Sequence, residues 1–246
     1  MGTSKAILAR EDFLGGIKSV RDGTYRLIFA DPPYNLSGAK HITVHAGKRV
    51  KCDKGAWDAI SDLDAFNRSW VRECVRVLAD DGTIWISGTL HNHPSIGCVL
   101  KELGLWIIND IIWFKRNAPP LLSANRFAPS TELIWVASKT KKYHFDYACA
   151  KEMNGGKQMR NLWEINAQRH VTSHPAEKPE ALLDRIIRIG TEKGDWVLDP
   201  FMGSGTTGVV AKRLGREFHG FEVDAGYFRE AKKRIAHVER KARAAG

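Results

Sequence analysis

The stretch Trp196-Val197-Leu198-Asp199-Pro200-Phe201-Met202-Gly203-Ser204-Gly205-Thr206-Thr207-Gly208 sets the architecture. A short apolar strand enters a glycine turn, and a helix-like stretch, Gly205–Leu214, leaves it. Glycine permits positive φ and close approach of a ligand to the main chain, and a helix start adds unpaired N–H groups. Gly203, Gly205 and Gly208 fit the pattern Gly-x-Gly-x-x-Gly, and Glu222 closes the next strand-like run about 20 residues after Gly203. An acid at that spacing is where a ribose hydroxyl is bound, so the unit reads as a site for an adenosine-containing cofactor. Taken alone, the string suits a dinucleotide dehydrogenase equally well. No Gly-Lys-Ser/Thr follows the glycines, which argues against a triphosphatase P-loop.

Outward from this unit, apolar runs alternate between two periods. Strand-like runs rich in Val, Ile, Trp and Phe are Lys5–Ala9, Tyr25–Ala30, Thr83–Ser87, Ile107–Phe114, Glu132–Ala137, Asp195–Leu198 and Glu217–Phe221. Helix-like stretches are Asp64–Ala79, Glu180–Gly190, Gly205–Leu214 and Gly226–Ala236; in the first, Phe66, Trp70, Cys74, Val77 and Leu78 share one face. The alternation predicts one doubly wound α/β domain over residues 1–246, with a seven-stranded, mostly parallel, Rossmann-like sheet covered on both faces. Three stretches break the pattern and read as inserted loops: 36–55, 115–130 and 138–169. The first carries Lys40, Lys48, Arg49, Lys51 and Lys54 with His41 and His45; the second contains Pro119-Pro120 and Pro129; the third contains Gly155-Gly156.

Composition narrows the partners. The 246 residues hold 38 Lys+Arg against 28 Asp+Glu, a formal charge of +10, which points to an anionic partner such as nucleic acid. Hydrophobic residues at 43% and charged residues at 27% describe a globular chain with ample core. No apolar run is long enough to span a membrane, and Glu11-Asp12 stand where a signal peptide needs its apolar stretch, so a cytoplasmic location is expected. Cys52, Cys74, Cys98 and Cys149 form no Cys-x-x-Cys pair, so no metal site is expected.

The second signal is Leu27-Ile28-Phe29-Ala30-Asp31-Pro32-Pro33-Tyr34-Asn35. Pro32 cannot donate to a sheet, so the strand stops there and sets a carboxylate, rigid carbonyls and an aromatic ring at the mouth of a site. Two acceptors, the Asp31 carboxylate and a proline-flanked carbonyl, can hold both hydrogens of an exocyclic amine, while Tyr34 offers a face to a planar base. Alone, the same string is equally a proline-terminated strand with a capping Asp.

Together, Asp31-Pro32-Pro33-Tyr34 and Asp199-Pro200-Phe201-Met202-Gly203-Ser204-Gly205 resemble the S-adenosylmethionine-dependent amino-methyltransferases. The catalytic motif precedes the cofactor turn, an order similar to the β-class, circularly permuted DNA adenine-N6 methyltransferases. The likeness extends over Gly82–Ile86, Ile111–Lys115, Glu132–Ile134 and His174-Pro175-Ala176-Glu177-Lys178-Pro179. It implies that Asp31, Pro32, Pro33 and Tyr34 hold a flipped adenine. It also implies that Phe201, Gly203 and Gly205 surround the cofactor, with Glu222 on its ribose, Asp12 near its adenine, and Thr206 and Lys178 at its methionine end. Ala30, Asp31, His174, Asp199, Ser204, Thr207 and Val223 complete the implied cofactor set. Double-stranded DNA is the implied partner, with Lys40, Lys48, Arg49, Lys51 and Lys54 as its contacts, residues 170–175 as a short recognition segment, and a homodimer compatible with the class. Cytosine-N4 enzymes of this kind more often carry Ser where Asp31 stands. Other readings are an RNA adenine methyltransferase, an NAD-dependent dehydrogenase and a catalytically inactive nucleic-acid-binding module.

Overall fold

The computed structural model describes residues 4–34, 42–45, 48–51, 60–121, 125–168 and 177–244, with the backbone alone for 42–45, 48–51 and 241–244. In chain order the elements are β1 (Ala6–Ala9), α1 (Phe13–Gly16), β2 (Tyr25–Ala30), β3 (Ile42–His45), β4 (Lys48–Lys51), α2 (Leu63–Val77), β5 (Leu78–Gly88) and α3 (His93–Glu102). They continue with β6 (Trp106–Phe114), β7 (Thr131–Ser138), α4 (Tyr147–Met153), β8 (Leu162–Glu164), α5 (Glu180–Gly190), β9 (Trp196–Asp199), α6 (Thr206–Arg213), β10 (Glu217–Phe221) and α7 (Ala225–Ala244).

Eight strands form one sheet in the order β1-β10-β9-β2-β5-β7-β6-β8, in which only β7 runs antiparallel to its neighbours. All seven expected strands are present. The eighth, β8, lies inside the expected 138–169 loop, where α4 also forms, capped by the Asp146 carboxylate on the Cys149 N–H at 2.8 Å. The expected loop 36–55 contains the antiparallel pair β3–β4, with His45 opposite Lys48.

Alternation along the strands builds two cores. In β2, Leu27 and Phe29 face the side covered by α5, α6 and α7, where they join Leu183, Ile187, Val210 and Ile235. Ile28 and Ala30 face the other side, with Phe13 of α1, Trp70 and Cys74 of α2 and Ile96 of α3. The amphipathic stripe of α5, Leu182, Leu183, Ile186 and Ile187, is wholly buried.

The strand order positions the site. β2 and β9 are parallel neighbours, with Leu27 opposite Val197 and Ile28 opposite Leu198. From β9 the chain proceeds to β10 on one side, and from β2 the sheet continues to β5 on the other. Such a reversal opens a crevice beyond the carboxyl ends of the strands, where ligands bind in open α/β sheets.

Candidate active site

A cleft of about 250 Å³ occupies that crevice. The end of β2 lines it with Asp31, Pro32, Pro33 and Tyr34, and the turn after β9 with Pro200, Phe201 and Gly203. β10 and the residues after it contribute Phe221, Glu222 and Val223; Glu11, Asp12, Phe13, Phe66 and Tyr227 complete the wall. The two motifs, nearly 170 residues apart in the chain, therefore share one cavity.

At the β2 end, Asp31 is held from both sides. The Tyr34 hydroxyl donates to Oδ1, and Lys178 Nζ donates to Oδ2 at 2.6 Å. Lys178 Nζ also donates to the Tyr34 hydroxyl at 3.2 Å and lies 3.2 Å from Glu132 Oε2, while Lys115 Nζ lies 2.9 Å from Glu132 Oε1. Ser87 Oγ is 3.2 Å from the Tyr34 hydroxyl. Burial pushes the Tyr34 phenol well above its usual range, so it stays a neutral donor. Burial would also raise Glu132, but Lys178 and Lys115 outweigh it and hold this carboxyl at about 2.

At the β9 end, the turn satisfies its own donors. The Gly203 N–H donates to Glu222 Oε2 at 3.0 Å and the Asp224 N–H to Oε1 at 2.7 Å. The Phe201 N–H donates to Asp199 Oδ1 at 3.0 Å, and Thr207 Oγ1 donates to Oδ2 at 2.5 Å. Gly205 caps α6 at φ +83, and a Cβ there would stand 2.8 Å from the Ala231 Cβ. Burial pushes the Asp199 carboxyl up to about 7 and raises Glu222, against the hydrogen bonds that lower both.

The lining favours one cofactor class. Gly203 and Phe201 give their N–H groups to Glu222 and Asp199 rather than to a pyrophosphate. Among the described residues the cleft lining holds four carboxylates, Glu11, Asp12, Asp31 and Glu222, and no Lys, Arg or His. That field repels a diphosphate and attracts a cation. An adenosine carrying a sulfonium fits: carboxylates answer its charge and its hydroxyls, and the rings of Phe13, Phe66 and Phe201 offer an apolar wall.

The model of the N6/N4 DNA methylase family matches residues 25–233. The chain belongs to the DNA methylase family. The Type II methyltransferase M2.DpnII of Streptococcus pneumoniae is 44% identical over 242 residues, spanning 94% of this chain and 90% of that protein. The M1.HpyAVI–SAM complex matches with a TM-score of 0.72 at 27% identity, over 94% of this chain and 98% of that one. The cytosine-N4-specific PvuII DNA methyltransferase, at 21% identity and a TM-score of 0.74 over 97% of this chain and 93% of that one, shares the fold. The methylase takes its methyl group from S-adenosylmethionine.

Several residues that the resemblance implied for this methylase line the cleft: Asp12, Asp31, Pro32, Pro33, Tyr34, Phe201, Gly203, Glu222 and Val223. Asp12 also caps α1 by accepting the Gly15 N–H at 3.2 Å. Ala30, Asp199, Ser204, Thr206 and Thr207 are buried and, like Gly205, absent from the lining. Thr206 donates to Glu177 Oε1 at 3.0 Å. Lys178, implied at the methionine end of the cofactor, instead sits on Asp31, Tyr34 and Glu132. Lys48, Arg49 and Lys51 lie on β4; Lys40, Lys54, His174 and the 170–175 segment lie outside the described residues.

Sequence reading quoted Lys115 and Glu132 within matching blocks but gave them no role, and gave none to Arg234, whose Nη1 donates to the Ser204 carbonyl at 2.9 Å and pairs with Glu177 at 2.9 Å. A signal was present for the first two: Lys115 directly follows the apolar run Ile111–Phe114 that ends β6, and Glu132 directly precedes the apolar run Leu133–Ala137 of β7.

Proposed function

We propose that this DNA methylase modifies the N6 amine of an adenine that leaves a DNA duplex and enters the cleft. The observation that carries the reading is that Asp31 and Tyr34 face the same cavity as Phe201, Gly203 and Glu222. Extrusion of a paired base costs a few kcal/mol and is needed because the amine cannot otherwise reach a recessed cofactor.

When bound, S-adenosylmethionine supplies a methyl carbon activated by a positively charged sulfur. Glu222 would accept from its ribose hydroxyls, Asp12 and Phe201 would hold its adenine, and the carboxylates of the lining would answer the sulfonium charge. Asp31 and a neighbouring proline carbonyl accept the two hydrogens of the target amine. Their pull would turn the nitrogen lone pair out of the ring, while Tyr34, fixed by its hydroxyl, borders the base. As the N–C bond forms the C–S bond would break, S-adenosylhomocysteine would leave, and the proton shed by the nitrogen would pass by way of Asp31 to solvent. Orientation supplies most of the acceleration, since the arrangement puts acceptors rather than a separate strong base on the amine. Asp rather than Ser at position 31 supports adenine over cytosine.

Basic residues of the 36–55 and 115–130 insertions supply phosphate contacts, among them Lys48, Arg49 and Lys51. Lys48→Ala with Arg49→Ala weakens DNA binding and lowers the slope of log affinity against log salt by about one for each phosphate left without its cation. The decisive test is nucleoside analysis by mass spectrometry of DNA from cells expressing the chain, in a host without its own DNA methylation. N6-methyladenine is expected with the wild type and absent with Asp31→Ala; N4-methylcytosine in its place contradicts the reading. Labelled methyl incorporation into duplex rather than single-stranded oligonucleotides tests the strandedness.

A further inference from the structure

We propose that Lys115, Glu132 and Lys178 form a buried strut of alternating charge that fixes the direction of the Asp31 carboxylate, making the three positioning residues for methyl transfer. The inference rests on the reading of Asp31 as acceptor of the target amine.

Four separate parts of the fold meet here: Asp31 after β2, Lys115 after β6, Glu132 at the start of β7 and Lys178 just before α5. Their charges alternate along the row, with Lys115 2.9 Å from Glu132, Glu132 3.2 Å from Lys178, and Lys178 2.6 Å from Asp31. The side chains are 16% exposed at Lys115 and Glu132 and 6% at Lys178, so solvent screens the row weakly. Only Asp31 of the four lines the cleft. The row thus begins inside the protein and ends on the one carboxylate that meets the substrate.

A purely structural account explains this poorly. Burying charges costs several kcal/mol each, and apolar residues of similar volume commonly do as well or better for stability. What an ion row gives and an apolar core does not is a fixed direction for its terminal group. Lys178 takes Oδ2, Tyr34 takes Oδ1, and Lys178 also bonds the Tyr34 hydroxyl, so the carboxylate cannot rotate without breaking both contacts. Glu132, itself pinned by Lys115, keeps Lys178 from following a rotating Asp31. The remaining lone pairs of Asp31 then point where the amine hydrogens must arrive, and misplacement of a reacting group by about 1 Å costs about a hundredfold in rate.

The test compares single-turnover methyl transfer to unmethylated plasmid DNA at saturating cofactor with S-adenosylmethionine affinity by calorimetry. Glu132→Gln is expected to slow transfer by about tenfold to a hundredfold while the cofactor Kd stays within about twofold. Because Glu132→Gln leaves two buried cations against one anion and can cost folding, Lys115→Met with Glu132→Gln restores the balance. This double variant is expected to melt close to wild type yet remain slow. Wild-type transfer in the double variant, or in both variants, overturns the strut, as does a loss of cofactor affinity that accounts for the slower rate. Asp31→Asn in the same assay separates the two levels. If it transfers at the wild-type rate, the underlying reading of Asp31 fails. If it is inactive while the Glu132 variants are unimpaired, the strut alone fails.

Discussion

The two halves of the cleft are built by different means. At the half proposed for the cofactor, carboxylates are satisfied at short range in the chain: Asp199 holds the Phe201 N–H and Thr207, eight residues on, and Glu222 holds the Gly203 N–H, 19 residues away. At the half proposed for the acceptor, Asp31 is held by Tyr34, three residues on, and by Lys178, 147 residues away, which is held in turn by Glu132 and then Lys115. Backbone donors in a turn are fixed by the fold of a single βαβ unit. Side-chain ion pairs between distant strands exist only after the whole sheet has closed. Damage at one half should therefore show as lost affinity, and damage at the other as lost rate.

Four outcomes would overturn or refine that contrast. The largest is at Asp31: Asp31→Ala lowers transfer by at least about a hundredfold, with cofactor Kd by calorimetry within about twofold of wild type. The contrast fails if affinity falls as far as rate. Glu222→Ala leaves the Gly203 and Asp224 N–H groups without their carboxylate. Hydrogen bonds to a charged group are worth about 1.5–3 kcal/mol, so cofactor affinity drops by about tenfold to a hundredfold while transfer at saturating cofactor is nearly unchanged.

Gly205→Ala probes the turn itself. Its φ of +83 disfavours a side chain, and the new Cβ would meet Ala231 at 2.8 Å. A stability loss of about 1–3 kcal/mol is expected from urea midpoints, larger than for Gly194→Ala, where φ is +87 but nothing stands within 4 Å. The fourth is a pH dependence. Burial raises Asp199 from its ordinary 3.8 to about 7, so the folded state favours the protonated carboxyl. Its contribution to stability is full below the ordinary value and is lost as pH rises through about 7. The melting temperature of the wild type should fall between about pH 4 and 7 and level off above that, and that of Asp199→Asn should fall less.

The same contrast governs what could be read from residue order. The glycine turn, Glu222 and the proline-terminated β2 are local patterns, and the seven principal strands follow from apolar runs long enough to show their period. β8 escapes because it has three residues, of which only Trp163 is buried. α3, not among the expected helices, carries Pro94 and Gly97, residues that weaken a helix interior; here Pro94 lies in the first turn, where no N–H is required of it, and a Cβ on Gly97 would stand 2.8 Å from the Trp135 ring. Lys178 could be named only through the resemblance, and then at the methionine end of the cofactor, because its partners Asp31 and Glu132 lie after β2 and on β7, far away in the chain. Charge pairing between distant strands leaves no spacing rule in the sequence, and the acceptor half could be named there without its support.

The proposed methyl transfer requires the turn after β9 to present the cofactor to Asp31 and Tyr34. A crystal structure with S-adenosylmethionine bound is the shortest route to checking that. The ligand is expected in the cleft, with its ribose hydroxyls on Glu222 and its methyl group directed at Asp31 and Tyr34. A cofactor bound elsewhere, or one whose methyl group points away from that pair, refutes it.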